Sequence, residues 1–299
     1  MTKLPTTPLL PIGDSILLKF ECNNPGGSHK TRAARRIIQK GIESGEIIPG
    51  VTTVIEKTGG NFGFGLIVAC QEYRVPVELV VGLSFSKLKK RCLSFSGAEL
   101  VGIKMLDEGL QPVQVIESFM EDSTKDGKHY FYPDQFNNQI NTEAHEFDTG
   151  AELVQQLRRI SNVESVKFVA CAGTGASITG ITRALKKGGF TVEIVLVEPQ
   201  GCDSKNNLFV EHEMEGMAVG VSPPLIDWDI INDRVFVGNE EMRETQKWYL
   251  QKSGYFIGNT SAACLSVARR LEKNNNSNKQ KIVSIVYDLG HWYMSAVGE

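Results

Sequence analysis

Short apolar runs alternate with stretches of helical periodicity along most of this chain. Apolar and β-branched segments at about 16–22, 51–56, 77–81, 98–103, 166–171, 192–197 and 282–287 predict buried strands. Between them, helical patterns run over about 33–44, 66–73, 86–96, 110–122, 142–160, 240–252 and 261–272, with one more from the 173–177 turn to about 187. Gly45 and Gly254 stand just past two of these helices, where a chain commonly leaves the helical path. Residues 137–141 read as a polar turn, and 199–235 as irregular chain punctuated by Gly216, Gly220, Pro223 and Pro224. The alternation predicts an α/β fold of parallel βαβ units, with helices on both sheet faces. The long helix at 142–160 is placed to carry the chain between two such sheets.

Composition narrows the function classes. The 299 residues suffice for one large domain or two closely packed ones. With 41% hydrophobic and 22% charged residues, the chain reads as an ordinary soluble globule. A net charge of -3 gives no support for a nucleic-acid partner. No apolar run approaches the ~20 residues that span a bilayer, so no membrane is expected. The N-terminus lacks the apolar core of a secretion signal. The cysteines (Cys22, Cys70, Cys92, Cys171, Cys202, Cys264) are scattered, with no Cys-x-x-Cys pair. Most lie in or beside apolar runs, which predicts buried thiols in a reducing cytoplasm. The histidines show no metal-ligand spacing. Glu211-His212-Glu213 could catch a metal, but a solvated polar loop is the better reading, and no metal is expected.

The candidate chemistry sits at strand ends. Asn24-Pro25-Gly26-Gly27-Ser28-His29-Lys30-Thr31-Arg32 turns sharply between a strand and a helix. In an open α/β sheet that edge is where ligands bind. A lysine held there suits a Schiff base, although on this stretch alone a solvated lysine at a helix start is the plainer reading. Three further glycine-bearing turns follow apolar strands, at 58–65, 173–177 and 288–290, and could face one cleft. Gly173-Thr174-Gly175-Ala176-Ser177 opens a helix, and its backbone N–H groups and hydroxyls suit a phosphate. A tight structural turn fits that loop equally well. It is not a dinucleotide fingerprint, because Ile178 stands where a third glycine is needed. Glu198 nonetheless ends the next strand, roughly where a ribose-binding acid would stand, so a nicotinamide enzyme stays open.

Taken together, these loops resemble the cysteine synthase / cystathionine β-synthase family, pyridoxal-phosphate enzymes of the second fold type. The resemblance runs from Thr7-Pro8-Leu9 to Tyr293. Asn24-Pro25-Gly26-Gly27-Ser28-His29-Lys30 resembles the cofactor-lysine segment, and Thr58-Gly59-Gly60-Asn61-Phe62-Gly63 the family's Thr-Ser-Gly-Asn-Thr-Gly loop. Ser96-Gly97-Ala98-Glu99-Leu100-Val101, Gln135-Phe136 and Thr142-Glu143-Ala144-His145-Glu146 resemble further family segments. So do Gly216-Met217-Ala218-Val219-Gly220 and Gly258-Asn259-Thr260-Ser261-Ala262-Ala263. The resemblance implies that Lys30 carries pyridoxal 5'-phosphate and acts as general base. It implies that Asn61 contacts the cofactor's phenolic oxygen, and that Gly173, Thr174, Gly175, Ala176 and Ser177 hold its phosphate. Thr58, Gly59, Gly60, Phe62, Gln135, Gly216 and Met217 would bind the substrate. Either Leu289 or, if the turn slips by one residue, Asp288 would face the pyridine nitrogen; the ungapped match to Tyr293 favours Leu289.

The implied reaction is β-replacement on an activated serine-type amino acid by way of an aminoacrylate, with a nucleophilic co-substrate, in a homodimer. A dehydratase, a racemase or a threonine-synthase-like lyase on the same scaffold is the alternative, and a non-catalytic paralogue is another. A smaller domain, about 33–137, would close over the substrate, and 1–32 with 138–299 would form the larger one. Gly59 and Phe62 depart from the family's serine and threonine, which makes the pocket less polar and points to a specialised pathway.

Overall fold

The computed structural model describes residues 4–275 and 277–296. The chain divides into two compact units. One is Pro25–Asn141; the other joins Pro5–Asn24 to the chain from Thr142 onward. Lys30 to Arg32 thus lie in the smaller unit, whereas the expected boundary at 33 left them in the larger.

In chain order the elements are β1 (Leu9–Ile12), β2 (Ile16–Lys19), α1 (Lys30–Ser44), β3 (Thr52–Lys57), α2 (Asn61–Gln71), β4 (Val77–Val80) and α3 (Lys87–Phe95). There follow β5 (Glu99–Leu100), α4 (Ile103–Asp107), α5 (Pro112–Asp126), β6 (His129–Phe131), α6 (Gln139–Ala144) and α7 (Ala151–Leu157). The rest is β7 (Ser165–Cys171), α8 (Ala176–Lys187), β8 (Thr191–Pro199), β9 (Asp233–Val237), α9 (Asn239–Ser253), α10 (Asn259–Glu272) and β10 (Gln280–Ile285).

Among the described residues, the smaller unit holds a parallel sheet in the order β5-β4-β3-β6. Ile55 and Val80 from its strands pack with Leu106, Val115 and Ile116 from the helices. The larger unit holds a sheet in the order β1-β2-β10-β7-β8-β9, parallel except for the β1–β2 hairpin. Its middle strands are mostly apolar, with few polar residues such as Lys167, Glu193 and Ser284, because helices cover both faces. Phe168, Val169, Ile194, Leu196, Ile282 and Val283 are buried there.

Several expectations are corrected. The strand predicted over 16–22 ends at Lys19, and a short 3-10 turn takes Glu21–Asn23. Of the strand predicted over 98–103, only Glu99–Leu100 pairs, and Ile103 opens a helix. The polar turn at 137–141 already contains the start of α6. The helix predicted over 142–160 is broken by a wider π turn at His145–Gly150. The irregular segment 199–235 conceals β9, whose partly exposed residues give no buried run. Of the three glycine turns, 173–177 and 288–290 follow the adjacent parallel strands β7 and β10, whereas 58–65 belongs to the other sheet.

Candidate active site

Lys30 is the first residue of α1, not a residue ahead of it. The loop before it starts from a buried anchor: Asn24 Nδ2 donates to Glu21 Oε2 at 2.9 Å, and Thr7 Oγ1 donates to Glu21 Oε1 at 2.7 Å. Gly26 and Gly27 then adopt φ of +78° and +76°, a region open to glycine at little cost. The turn closes when Thr31 Oγ1 donates to the Pro25 carbonyl at 2.5 Å and the Lys30 N–H to Ser28 Oγ at 3.3 Å. On α2, a Cβ at Gly65 would lie 3.1 Å from the Lys30 carbonyl carbon and from Thr31 Cα, so the two helix backbones nearly touch. The smaller unit therefore packs the α2 helix, which begins at Asn61, against the first turn of α1.

Asn61 follows Gly60, which caps α2 without a side-chain hydrogen bond. The first N–H groups of a helix have no intrahelical partner, and the Thr58–Gly60 loop delivers them at the sheet edge. Phe62, expected in the substrate wall, is 2% exposed and belongs to the core side of the helix. Gln135 reaches the same strand end: its N–H donates to Glu56 Oε2 at 3.4 Å, and its carbonyl accepts from Asn141 Nδ2 at 2.8 Å. Glu56 itself was missed by sequence reasoning. Burial, reinforced by the nearby Asp134 carboxylate, lifts its carboxyl to about 8, against the pull of N–H donors from Gln135 and Lys57.

The larger unit forms the candidate phosphate cup. Gly175 (φ +86°) caps α8, and having no side chain it covers none of the first-turn N–H groups itself. Thr174 Oγ1 accepts from the Ala176 N–H at 3.3 Å. The cup is braced by a segment the sequence left irregular. A Cβ on Gly173 would lie 2.3 Å from the Gly216 carbonyl oxygen, and one on Gly175 would lie 2.3 Å from the Ile226 nitrogen. The Ala218 N–H donates to the Ala172 carbonyl at 3.1 Å, and the Leu225 N–H to the Thr174 carbonyl at 2.9 Å. Thr179 Oγ1 donates to the Leu225 carbonyl at 2.9 Å and accepts from the Asp227 N–H at 3.0 Å. Gly216 and Met217 thus lie beside the 173–177 loop.

A family model described as pyridoxal-phosphate-dependent enzyme matches residues 2–288. The chain belongs to that family. A cysteine synthase of Staphylococcus aureus is 31% identical to it over 282 residues, covering 94% of this chain and 87% of the relative. The crystal structure of an O-acetylserine-dependent cystathionine β-synthase from Helicobacter pylori superposes with a TM-score of 0.83 at 27% identity, covering 97% of this chain and 95% of that one. The crystal structure of an O-ureido-L-serine synthase gives a TM-score of 0.84 at 25% identity, covering 97% and 91%.

A pyridoxal-phosphate-dependent enzyme needs a lysine and an anion cradle, and the residues present fit both. Any side chain at Gly173 or Gly175 would collide with the backbone of Gly216 or Ile226, so the loop stays bare peptide at the start of α8, where a helix N-terminus suits an anion. The nicotinamide reading fails at Glu198, whose carboxylate pairs with Arg234 and accepts from the Ser204 N–H at 2.8 Å. Glu213 pairs with Arg243, and His212 Nδ1 accepts from the Met214 N–H at 3.1 Å. Burial holds the His212 imidazole below its ordinary pKa.

Proposed function

We propose that the protein catalyses β-replacement on an activated serine-type amino acid with a nucleophilic co-substrate. The observation that carries this reading is Lys30 at the first position of α1, with α2 packed against it, in a chain of this family. Similarity to cysteine synthase, to O-acetylserine-dependent cystathionine β-synthase and to O-ureido-L-serine synthase supports an activated serine as donor.

When bound, pyridoxal phosphate supplies an electron sink for negative charge developing at the substrate's α-carbon. Lys30 Nζ would hold the cofactor and is the group that would take the α-proton as general base. First-turn N–H groups of α8 with the hydroxyls of Thr174 and Ser177 would hold the phosphate, where the helix dipole favours negative charge. Asn61 would contact the cofactor's phenolic oxygen. The N–H groups of the Thr58–Phe62 loop bind the substrate carboxylate, and Gln135, Gly216 and Met217 complete the substrate's surroundings.

Gly59 and Phe62 remove two hydroxyls from the carboxylate clasp, which supports a specialised biosynthetic role. The reading also includes a homodimer. Free cysteines, all but Cys92 buried, support a cytoplasmic setting. No described helix is long and apolar enough to cross a membrane. The test is to supply serine, O-acetylserine and O-phosphoserine separately, each with a panel of nucleophiles. A new β-substituted amino acid is expected, and pyruvate as the sole product would overturn replacement in favour of a dehydratase.

A further inference from the structure

The loop proposed to bind the substrate carboxylate meets an aromatic ring from its neighbour. Strands β3 and β4 are parallel, with Lys57 opposite Val80, so Thr58–Gly60 and Val81–Phe85 leave the same sheet edge side by side. A Cβ built on Gly59 would lie 2.5 Å from Phe85 Cδ1, 2.7 Å from Phe85 Cγ and 2.7 Å from Val81 Cγ1. Close-packed interiors leave no room for such contacts. At Gly60 the same construction meets nothing within 4 Å. The restriction therefore falls on position 59 alone. It is set by a turn in which the Phe85 N–H donates to the Gly82 carbonyl at 3.2 Å.

Phe85 is 40% exposed, so part of its ring stays open. Leu83 and Leu88, close by in sequence, are exposed as well, at 51% and 56%. An apolar ring beside a carboxylate-binding loop rewards hydrocarbon on a ligand and gives nothing to a small hydrated anion.

We infer that Gly59 and Phe85 act as one specificity-determining pair. Glycine at 59 lets the Phe85 ring lie against the substrate loop, and the open part of that ring selects a nucleophilic co-substrate with a hydrocarbon portion over sulfide. This rests on the reading of 58–63 as the substrate loop. A side chain at 59 pushes the ring aside, so changing either residue abolishes the same contact.

The test is a double-mutant cycle on the cofactor-loaded enzyme with wild type, Phe85→Ala, Gly59→Ala and the double variant. Each is assayed with one activated serine and either benzyl mercaptan or sulfide. Phe85→Ala is expected to lower the thiol-to-sulfide ratio of kcat/KM about tenfold or more, as for other losses of apolar pocket contact. Gly59→Ala is expected to lower it too, and to add nothing in the Phe85→Ala background. An unchanged ratio, or effects that simply multiply, would overturn the pair. Thermal unfolding gives a readout without turnover. Gly59→Ala is expected to lower Tm by about 2–4 °C, since overpacking destabilises, and Phe85→Ala lessens that loss, leaving only the part due to Val81. An equal loss in both backgrounds contradicts the coupling. Absence of turnover with either nucleophile overturns β-replacement and the selectivity with it, while the unfolding cycle still decides the coupling.

Discussion

The Tyr293 hydroxyl donates to Asp288 Oδ2 at 2.5 Å and so closes the turn that follows β10. Asp288 is 1% exposed, and its backbone carbonyl accepts from the Gly258 N–H at 2.9 Å. A Cβ on Gly258 would sit 1.8 Å from Asp288 Oδ1, so the carboxylate is packed into the start of α10. This favours Asp288 as a brace of the strand end, with Leu289 next to it paired through its backbone to Ile257. Tyr293→Phe leaves a buried acceptor without its donor and should cost about 1–3 kcal/mol in denaturant unfolding. Asp288→Asn should leave any long-wavelength absorbance band seen during turnover in place. Loss of that band would make Asp288 the acid partner of the pyridine nitrogen.

The cup is predicted to tolerate no side chain at its first glycine. In Gly173→Ala the new methyl group would meet the Gly216 carbonyl oxygen, and neither backbone has a flexible end to yield. Overpacking of this kind costs about 1–3 kcal/mol. We expect the variant to lose cofactor affinity in equilibrium dialysis while far-ultraviolet circular dichroism stays unchanged. Undiminished binding would place the phosphate elsewhere.

Glu56 predicts a pH dependence of stability. Its carboxyl titrates at about 8 in the folded protein against an ordinary value of 4.5. Between those values the unfolded chain releases the proton while the folded chain keeps it, so stability falls as pH rises and levels off above about 8. Each unit of such a difference is worth about 1.4 kcal/mol. Glu56→Gln removes the titration. Relative to wild type, the variant should gain stability steadily from pH 5 to pH 8 in urea unfolding; a constant difference across that range would show that Glu56 is ionised in the fold.

The order of strands and helices was legible because buried parallel strands are nearly pure apolar runs, and the helices between them carry a clear period. What escaped were features set by tertiary packing. β9 is short, with Val235, Phe236 and Val237 following Asp233 and Arg234, so its apolar run is too brief to stand out at the end of a Gly- and Pro-punctuated segment. The π turn at His145–Gly150 has no local signature, and neither do the Leu225 and Ile226 contacts that brace the cup. Lys30, Asn61 and the 173–177 loop could be found because turn chemistry concentrates glycine, asparagine and hydroxyl residues at strand ends. Phe85 could not, since Gly59 registers only a missing side chain and the ring that replaces it comes from another loop.

The altered clasp predicts weak sulfide chemistry. Each hydroxyl-to-carboxylate bond lost at positions 59 and 62 is worth roughly 1.5–3 kcal/mol where backbone N–H groups do not substitute. Cysteine formation from O-acetylserine and sulfide should therefore be slow, read as kcat/KM in a continuous assay. Efficient synthesis at ordinary sulfide levels would remove the case for a specialised role.

The central claim is that Lys30 carries the cofactor. Purified protein loaded with pyridoxal phosphate should be yellow, and borohydride should fix the cofactor permanently to one peptide. Peptide mapping by mass spectrometry should place the reduced adduct on Lys30, and Lys30→Ala should retain dialysable cofactor through the cup yet lose all turnover. A reduced adduct on any other lysine would contradict the account.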